Sequence, residues 1–578
     1  MTDLPIHAVL PEVLAALRKQ TGAVLIAPPG AGKTTAVAPA LLEEDWCEGT
    51  VILLSPRRVA ARAAAERMAQ MLGEQPGKTI GYLTRLDTKR SAATQVLVMT
   101  EAIFVATILD DPELQGVSAV LFDEAHERHL DSDLGLALAL ESRAIVREDL
   151  RLLVMSATID GARFADLLGD TTPVIESEGK AFPLQIEWLG SHPQDRIEDA
   201  MAAAVTRAWR EQSGDILAFL PGVGEIERTR ERLEARLPDA LILPLHGQVQ
   251  PRDQHAAIRR DSQGRRRIVL ATSIAETSLT LDGVSVVVDS GLARRAEFDR
   301  AAGTGHLVTV RGSQAAADQR AGRAARQGPG TAYRLWEEHG HTGRPRFDPP
   351  EIETADLAPL VLSLARWGTG DPAALPWLDQ PPAASIASAR ERLEAMGALD
   401  GEGRLTPFGE KVAQLPLDPA QAAMVLHSAA HGCGEDAAKI ALLLQERGLG
   451  GRGEDLAARL QRWNADRSAR ADASRKLAAR WAERARKLTN AGGQSASPAL
   501  ALARARPDFV ARKRDPAGEN WLAAGGRGFI LDPSSPMARA EWLAIGDATG
   551  SARGARITAA LVLEEAEVEA ALNNRIER

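Results

Sequence analysis

V24-L-I-A-P-P-G-A-G-K-T-T35 is the stretch on which the reading of this chain turns. An apolar run ends at Ile26, a Gly/Pro loop follows, and a helix is expected to begin near Lys33. A loop between a buried strand and a helix N-terminus points consecutive backbone N–H groups at one spot. The helix dipole adds positive potential there, so an anion can bind. The spacing resembles the phosphate-binding pattern G-x-x-x-x-G-K-[ST], with Ala27 in its first position. Gly30, Ala31, Gly32, Lys33, Thr34 and Thr35 are then the cradle. In that pattern Lys33 reaches the terminal phosphates and the Thr34 hydroxyl is a ligand for Mg²⁺.

Further along, similar apolar runs recur between turn residues. V51-I-L-L54, V96-L-V-M99, V120-L-F122 and L152-L-V-M155 complete one series, and I216-L-A-F-L220, L241-I-L243, I268-V-L270 and V284-S-V-V-V288 form a second. Such runs suit strands buried on both faces of a parallel sheet. Helical stretches such as V59-A-A-R-A-A-A-E-R-M-A69 and G224-E-I-E-R-T-R-E-R-L-E-A235 separate them. This alternation predicts doubly wound α/β architecture in two domains, joined near residues 175–183.

After about residue 345 the strand series stops. Residues 351–503 read as helix rich in Ala, Leu and Arg, interrupted by an irregular linker at 371–382. S385–G397 and P407–A413 are expected helices around the turn L399-D-G-E-G-R-L405. The charged segment 452–490 reads as a solvated helix surface. From about 504, Gly/Pro turns with G528-F-I-L531 and I557-T-A-A-L-V-L563 predict a small β domain.

Composition narrows the class. A chain of 578 residues with 45% hydrophobic and 25% charged residues is ordinary for globular proteins. No apolar run is long enough to cross a bilayer, and the N-terminus lacks a secretory pattern. Two distant cysteines, Cys47 and Cys433, fit a reducing cytoplasm and exclude a disulfide framework or a zinc site. The net charge of −9 argues against a protein that coats nucleic acid non-specifically. It leaves room for a local basic channel.

D123-E-A-H126 follows V120-L-F122. An acidic pair at the end of a buried strand is where a P-loop enzyme holds Mg²⁺ and positions the attacking water. Asp123 is the expected metal ligand, and Glu124 the metal-side group that orients and deprotonates the nucleophile. A helix N-cap with acidic charge in its first turn is the plainer alternative.

D123-E-A-H-E-R128 resembles the signature of the DEAH-box helicases of superfamily 2, and other family motifs stand in order. They are S55-P-R-R-V-A-A61, T100-E-A102, S156-A-T158, A271-T-S-I-A-E-T-S-L-T-L-D282 and Q319-R-A-G-R-A-A-R326. The likeness covers about residues 15–345. It continues more weakly through 385–420, where R392-L-E-A-M-G-A-L-D400 resembles the family's winged-helix region. The loop and layout are most similar to the bacterial HrpB-type branch. Ala27 and Ala325 depart from the wider family, which usually has Gly at both positions.

The resemblance implies two tandem RecA-like domains, 1–178 and 179–345. After them it implies a winged helix at 346–412, a helical bundle at 413–503 and an OB-like β domain at 504–578. The branch normally continues into a further C-terminal domain, so a shortened chain is expected. ATP and Mg²⁺ are the implied cofactors, bound between the first two domains. Arg323 and Arg326 would stabilise the γ-phosphoryl group across the cleft, and Gln319 would help hold the water. His126, Ser156 and Thr158 would couple the ATP site to the rest of the molecule. Ser156 and Thr158 also suit a strand-to-loop cap. Arg67 would stack on the base and Asp282 meet the ribose. Stacking tolerates any base, so several nucleoside triphosphates should be accepted, with kcat/KM for ATP, GTP, UTP and CTP as the measurement.

Arg58, Thr100 and Thr272 fall where the family grips a single strand of RNA or DNA through phosphate and sugar. Residues 297–312 resemble the family's β-hairpin, expected to part the strands. The implied activity is ATP-driven 3′→5′ translocation and unwinding by a monomer, with room for an activating protein partner. The alternative is an ATP-switched clamp on RNA or ribonucleoprotein without processive unwinding.

Overall fold

The computed structural model describes residues 4–572 except 86, 158–160, 180–181, 191–193, 248, 250, 277–280, 301–302, 447, 491–496 and 551–552. It divides into two compact units. The first comprises residues 1–295, 307–351 and 375–379, and the second 296–306, 352–374 and 380–578.

The first unit holds two sheets. Strands β1 (Gly22–Ile26), β2 (Thr50–Ser55), β3 (Ile80–Leu83), β4 (Thr88–Lys89), β5 (Val96–Thr100), β6 (Val117–Phe122), β7 (Arg151–Ser156) and β8 (Val174–Glu176) form one. Their order is β4-β3-β5-β2-β6-β7-β1-β8. All neighbours are parallel except the β3–β4 edge pair. β1 is buried along its whole length, as a central strand covered on both faces must be. Its core joins Val24's neighbours Ala23 and Leu25 to Val37 and Leu41 of helix Lys33–Leu41, and to Ala61, Ala65 and Met68 of helix Arg58–Met71.

The second sheet contains β9 (Leu184–Trp188), β10 (Asp215–Phe219), β11 (Leu241–Leu245), β12 (Arg267–Ala271), β13 (Val284–Asp289) and, beyond a hairpin of β14 (Leu292–Asp299) and β15 (Thr304–Arg311), β16 (Gly330–Arg334). Its order is β11-β12-β10-β13-β16-β9, parallel throughout. Two apolar clusters cover its two faces, one around Ile216, Ala218, Ile268 and Val288, the other around Leu217, Phe219, Val269 and Val287. The alternation along β10 places successive residues in opposite clusters, as period-two geometry requires.

The second unit is helical and then β. Helices Ala383–Ala395 and Pro407–Ala413 flank a bridge between Leu399 and Leu405. Helices Pro419–Ala430, Gly434–Gln445, Ala469–Leu488 and Pro498–Ala505 pack on one another. Strands β17 (Val510–Lys513), β18 (Asn520–Ala523), β19 (Gly528–Ile530), β20 (Trp542–Thr549) and β21 (Arg553–Leu563) close into a barrel, order β17-β18-β19-β21-β20. Only the β19–β21 pair is parallel. That five-stranded arrangement is OB-like. Among the described residues no helix is long and apolar enough to cross a membrane.

Candidate nucleotide site

The site forms at the C-terminal ends of β1, β6 and β7, where parallel sheets leave a crevice for ligands. The loop after β1 turns through Gly30 and Gly32, whose φ angles of 92° and 98° lie in the left-handed region. Its helix then starts at Lys33 and presents N–H groups that have no intrahelical partner.

Lys33 is buried, with Nζ 3.2 Å from Glu124 Oε2 and 3.9 Å from Asp123 Oδ1. Burial alone would lower the Lys33 pKa, but Glu124 and Asp123 outweigh it and hold the ammonium charged. The Thr34 hydroxyl donates to Asp123 Oδ2 at 2.6 Å. Burial, then the negative Glu124, push the Asp123 carboxyl up to about 7. Burial acts the same way on Glu124, yet Lys33 and then His126 keep it low. A hydroxyl and a buried carboxylate meeting at one point are hard oxygen donors, which suit Mg²⁺. Among the described residues, Glu124 is one of three non-glycine residues with positive φ, at 54°. Such backbone strain persists where the surroundings over-determine it.

His126 is the crossing point. Its Nδ1 accepts from the Ala157 N–H at 3.2 Å, which leaves the proton on Nε2. Nε2 lies 2.9 Å from the Gln319 side-chain amide, which accepts from it with its oxygen turned toward the ring, and 3.6 Å from Glu124 Oε2. Burial lowers the His126 pKa, so the ring is neutral. The imidazole therefore joins the loop after β7 to helix Gln314–Gly322, which follows the second sheet's hairpin. Ser156 ends β7 fully buried, with its carbonyl accepting from the Ala27 N–H. Thr158 lies outside the described residues.

From the second sheet come two arginines. Arg323 is buried and donates from Nε to the Glu276 carbonyl at 2.8 Å. Arg326 packs on the phosphate loop. A Cβ built on Gly30 would stand 2.6 Å from its Nε, so only glycine fits there. Arg326 Nη1 is buried and has no hydrogen-bond partner among the described residues. Burial lowers the pKa of both guanidinium groups, and each opposes the other in Arg323's case. Two mutually repelling, desolvated cations beside an amide cradle call for a polyanion.

The remaining sequence-derived residues divide. Asp282 accepts from Gln327 at 3.3 Å and adds a favourable charge to Arg326. The Thr35 hydroxyl turns back to the Gly32 carbonyl at 3.4 Å. Arg67 is exposed and donates to Gln70 Oε1 at 3.3 Å. Arg58, Thr100 and Thr272 all sit at C-terminal strand ends, after β2, on β5 and after β12.

Two features escaped the sequence reading. Arg57, beside Arg58, donates to the carbonyls of Ser273 and Ile274 and to Glu127 Oε2. It thus ties the first sheet to the loop after β12. His129 lies between Glu101 and Glu127, at 3.3 Å from each. Burial would lower its pKa, but the Glu101 hydrogen bond and charge, then Glu127, raise it to about 9. A folded pKa above the unfolded value contributes stability below about 6.5 that is lost as pH rises through 9. The melting temperature should therefore fall between those pH values, by up to about 3 kcal/mol of stability at 1.36 kcal/mol per unit. His129→Asn should flatten that slope in a pH series of thermal melts; an unchanged slope would sink the assignment.

Known proteins place this geometry. Residues 8–167 match the DEAD/DEAH box helicase family, 197–328 the helicase conserved C-terminal domain, and 389–417 the winged-helix helicase-associated domain (HA2). The crystal structure of the E. coli DExH-box NTPase HrpB superposes with a TM-score of 0.88 at 40% identity, over 99% of this chain and 70% of that one. This chain belongs to the DEAH-box helicase family. A second structure, the Escherichia coli DEAH/RHA helicase HrpB, gives a TM-score of 0.89 at 40% identity over 97% of this chain and 71% of that one. In sequence, this DEAH-box chain is 42% identical to the ATP-dependent RNA helicase HrpB of Escherichia coli K12 over 94% of its own length and 66% of the relative's. It is 35% identical to the Schizosaccharomyces pombe pre-mRNA-splicing factor prp22, over 76% of this chain and 38% of that one. It is 34% identical to the probable human RNA helicase DHX35, over 76% and 66%. The chain thus spans 66% or less of the length of these sequence relatives, and 70–71% of the two solved chains.

Proposed function

We propose that this DEAH-box chain hydrolyses ATP and uses the cycle to move 3′→5′ along single-stranded RNA, parting duplex or ribonucleoprotein. The observation that carries the reading is the buried Arg326 Nη1, without a hydrogen-bond partner among the described residues, on a side chain packed against Gly30 with Arg323 beside it. Lys33 and the loop amides hold the triphosphate, and Glu124 takes the proton of the attacking water, which Gln319 helps orient. Thr34 and Asp123 would hold Mg²⁺, which when bound offsets charge on the phosphate oxygens. Arg323 and Arg326 steady the charge that spreads over the γ-phosphoryl group. They come from the second sheet, so hydrolysis is favoured when the two sheets approach, and His126 and Ser156 relay that state. Arg67 and Asp282 are assigned the base and ribose.

Arg58, Thr100 and Thr272 are the proposed grip on the strand. Hydroxyls and a guanidinium hold phosphate and sugar without reading sequence. The five-part division at residues 178, 345, 412 and 503 is proposed with it, and so is cytoplasmic action as a monomer. The names of the relatives favour RNA over DNA.

Strand displacement on an RNA duplex with a 3′ single-stranded tail tests the reading, beside ATP hydrolysis with RNA, with DNA and without polymer at one salt concentration. Displacement with RNA stimulation supports it. Stimulation without displacement favours a clamp. Deleting residues 300–303 between β14 and β15 should abolish displacement and spare RNA-stimulated hydrolysis; equal loss of both would remove the strand-parting role.

A further inference from the structure

The helix that carries Gln319 is joined to the root of the hairpin by more than chain continuity. β15 ends at Arg311, and Ser313 caps helix Gln314–Gly322 by accepting from the Ala316 N–H. Gly291 immediately precedes β14, and its carbonyl accepts from the Gly312 N–H at 3.0 Å. Arg344, buried, closes this junction. Its Nη1 donates to the Gly291 carbonyl at 2.7 Å and to the Gly312 carbonyl at 2.9 Å. Its guanidinium lies over the Trp336 ring, 4.1 Å from the centroid. Its own carbonyl accepts from Gln314 Nε2 at 2.9 Å. One residue thus grips both hairpin stems and the first turn of the helix.

Arg320, on that helix, completes the junction from the other side. It donates to Asp289 Oδ1 at 3.0 Å and to the Leu292 carbonyl at 3.2 Å, while the Gly291 N–H donates to the same Asp289 oxygen at 2.8 Å. There is no slack. A Cβ on Gly291 (φ +68°) would stand 2.4 Å from Arg344 Nη2 and 2.6 Å from Trp336.

We propose that Arg344 is a positioning residue, the rigid joint between the helix bearing Gln319 and the stems of the β14–β15 hairpin, Leu292–Arg295 and Leu307–Arg311. The joint lies apart from the nucleotide and strand residues named above; it makes the hairpin stems and the helix turn as one body. Two carbonyls and an indole face, with the Asp289 charge nearby, suit a guanidinium, whose Nη1 bonds both carbonyls while the plane stacks. The inference rests on the reading of the hairpin as the element that parts the strands.

The test uses the full chain. Arg344→Met keeps the aliphatic stem on Trp336 and removes the two donors; Arg344→Lys keeps the charge and one bridging donor. Arg344→Met should leave RNA-stimulated kcat for ATP within about twofold and lower displacement of a 3′-tailed RNA duplex per ATP by about tenfold, a typical coupling between sites. Arg344→Lys should recover part of it. Parallel loss of both activities would mean that Arg344 only supports the fold, and unchanged displacement would also overturn the joint. If deletion of 300–303 leaves displacement intact, the strand-parting reading itself fails; if deletion abolishes displacement and Arg344→Met does not, the joint alone fails. Where Arg344→Met folds poorly, Gly291→Ala wedges the same junction. Amide hydrogen exchange across β14 and β15, with and without a non-hydrolysable ATP analogue, gives an independent reading. A nucleotide-dependent change that vanishes in the variant supports the joint, and one that persists overturns it.

Discussion

Arg326→Ala should lower kcat for RNA-stimulated ATP hydrolysis by about 10³-fold or more, the range measured for arginines that meet a transferring phosphoryl group. The expectation comes from its setting. Arg326 is desolvated, repelled by Arg323 and short of a hydrogen-bond partner at Nη1, yet pressed on the phosphate loop. Glu124 and Asp282 offset part of the cost of that position, and a bound polyanion would offset more. Arg326→Lys should not restore the rate, because a point charge lacks the planar fork. ATP affinity should fall far less than kcat, since the charge stabilised appears chiefly in the transition state. A loss of kcat below about tenfold in steady-state assays would remove Arg326 from the chemistry.

Glu124→Gln should lower kcat by about 10²–10⁴-fold, the usual contribution of a general base. Lys33 and His126 keep the Glu124 pKa low, so at neutral pH it is the carboxylate able to accept a proton, whereas Asp123 beside it sits near 7. In the proposed mechanism Glu124 takes the proton, while Asp123 faces the Thr34 hydroxyl. Glutamine preserves shape and abolishes basicity. Nucleotide binding, followed by fluorescence of a labelled ATP, should persist. If hydrolysis also persists within about tenfold, the base lies elsewhere.

Much of this was legible before any coordinates. All nine apolar runs became strands, because strands covered on both faces must be apolar throughout. The strands that went unread have other burdens. β9 lies at a sheet edge and is half-buried, so L184-Q-I-E-W188 alternates. β16 is central yet reads G330-T-A-Y-R334, because Arg334 is buried by an ion pair to Asp318 and stacking on Trp188 and Trp336. Polar residues that find partners inside a fold leave no trace in periodicity. The hairpin begins at Leu292, five residues before the stretch that suggested it. Lys33, Asp123 and Glu124 were visible because phosphate chemistry fixes their spacing from strand ends. Arg57 was not, since only the fold decides which of two adjacent arginines turns toward the second sheet. The His129 cluster joins Glu101 to Glu127 across the interval between a helix and a loop, a proximity that only strand order creates.

The closed barrel limits how its domain can be recognised. Closure pairs the short strands on both sides, yet β21 outruns its β19 partner, and on that free margin the Ala560 N–H donates to the Glu454 carbonyl at 2.8 Å while Asp455 bridges Ala560 in parallel. The two parallel sheets do keep such margins, at β4 and β8 and at β11 and β9. Where the chain's own segment at 454–455 takes that margin, a partner of the barrel is left with side chains to read, and the outward apolar positions Leu522, Ile530 and Val562 are where such reading would begin.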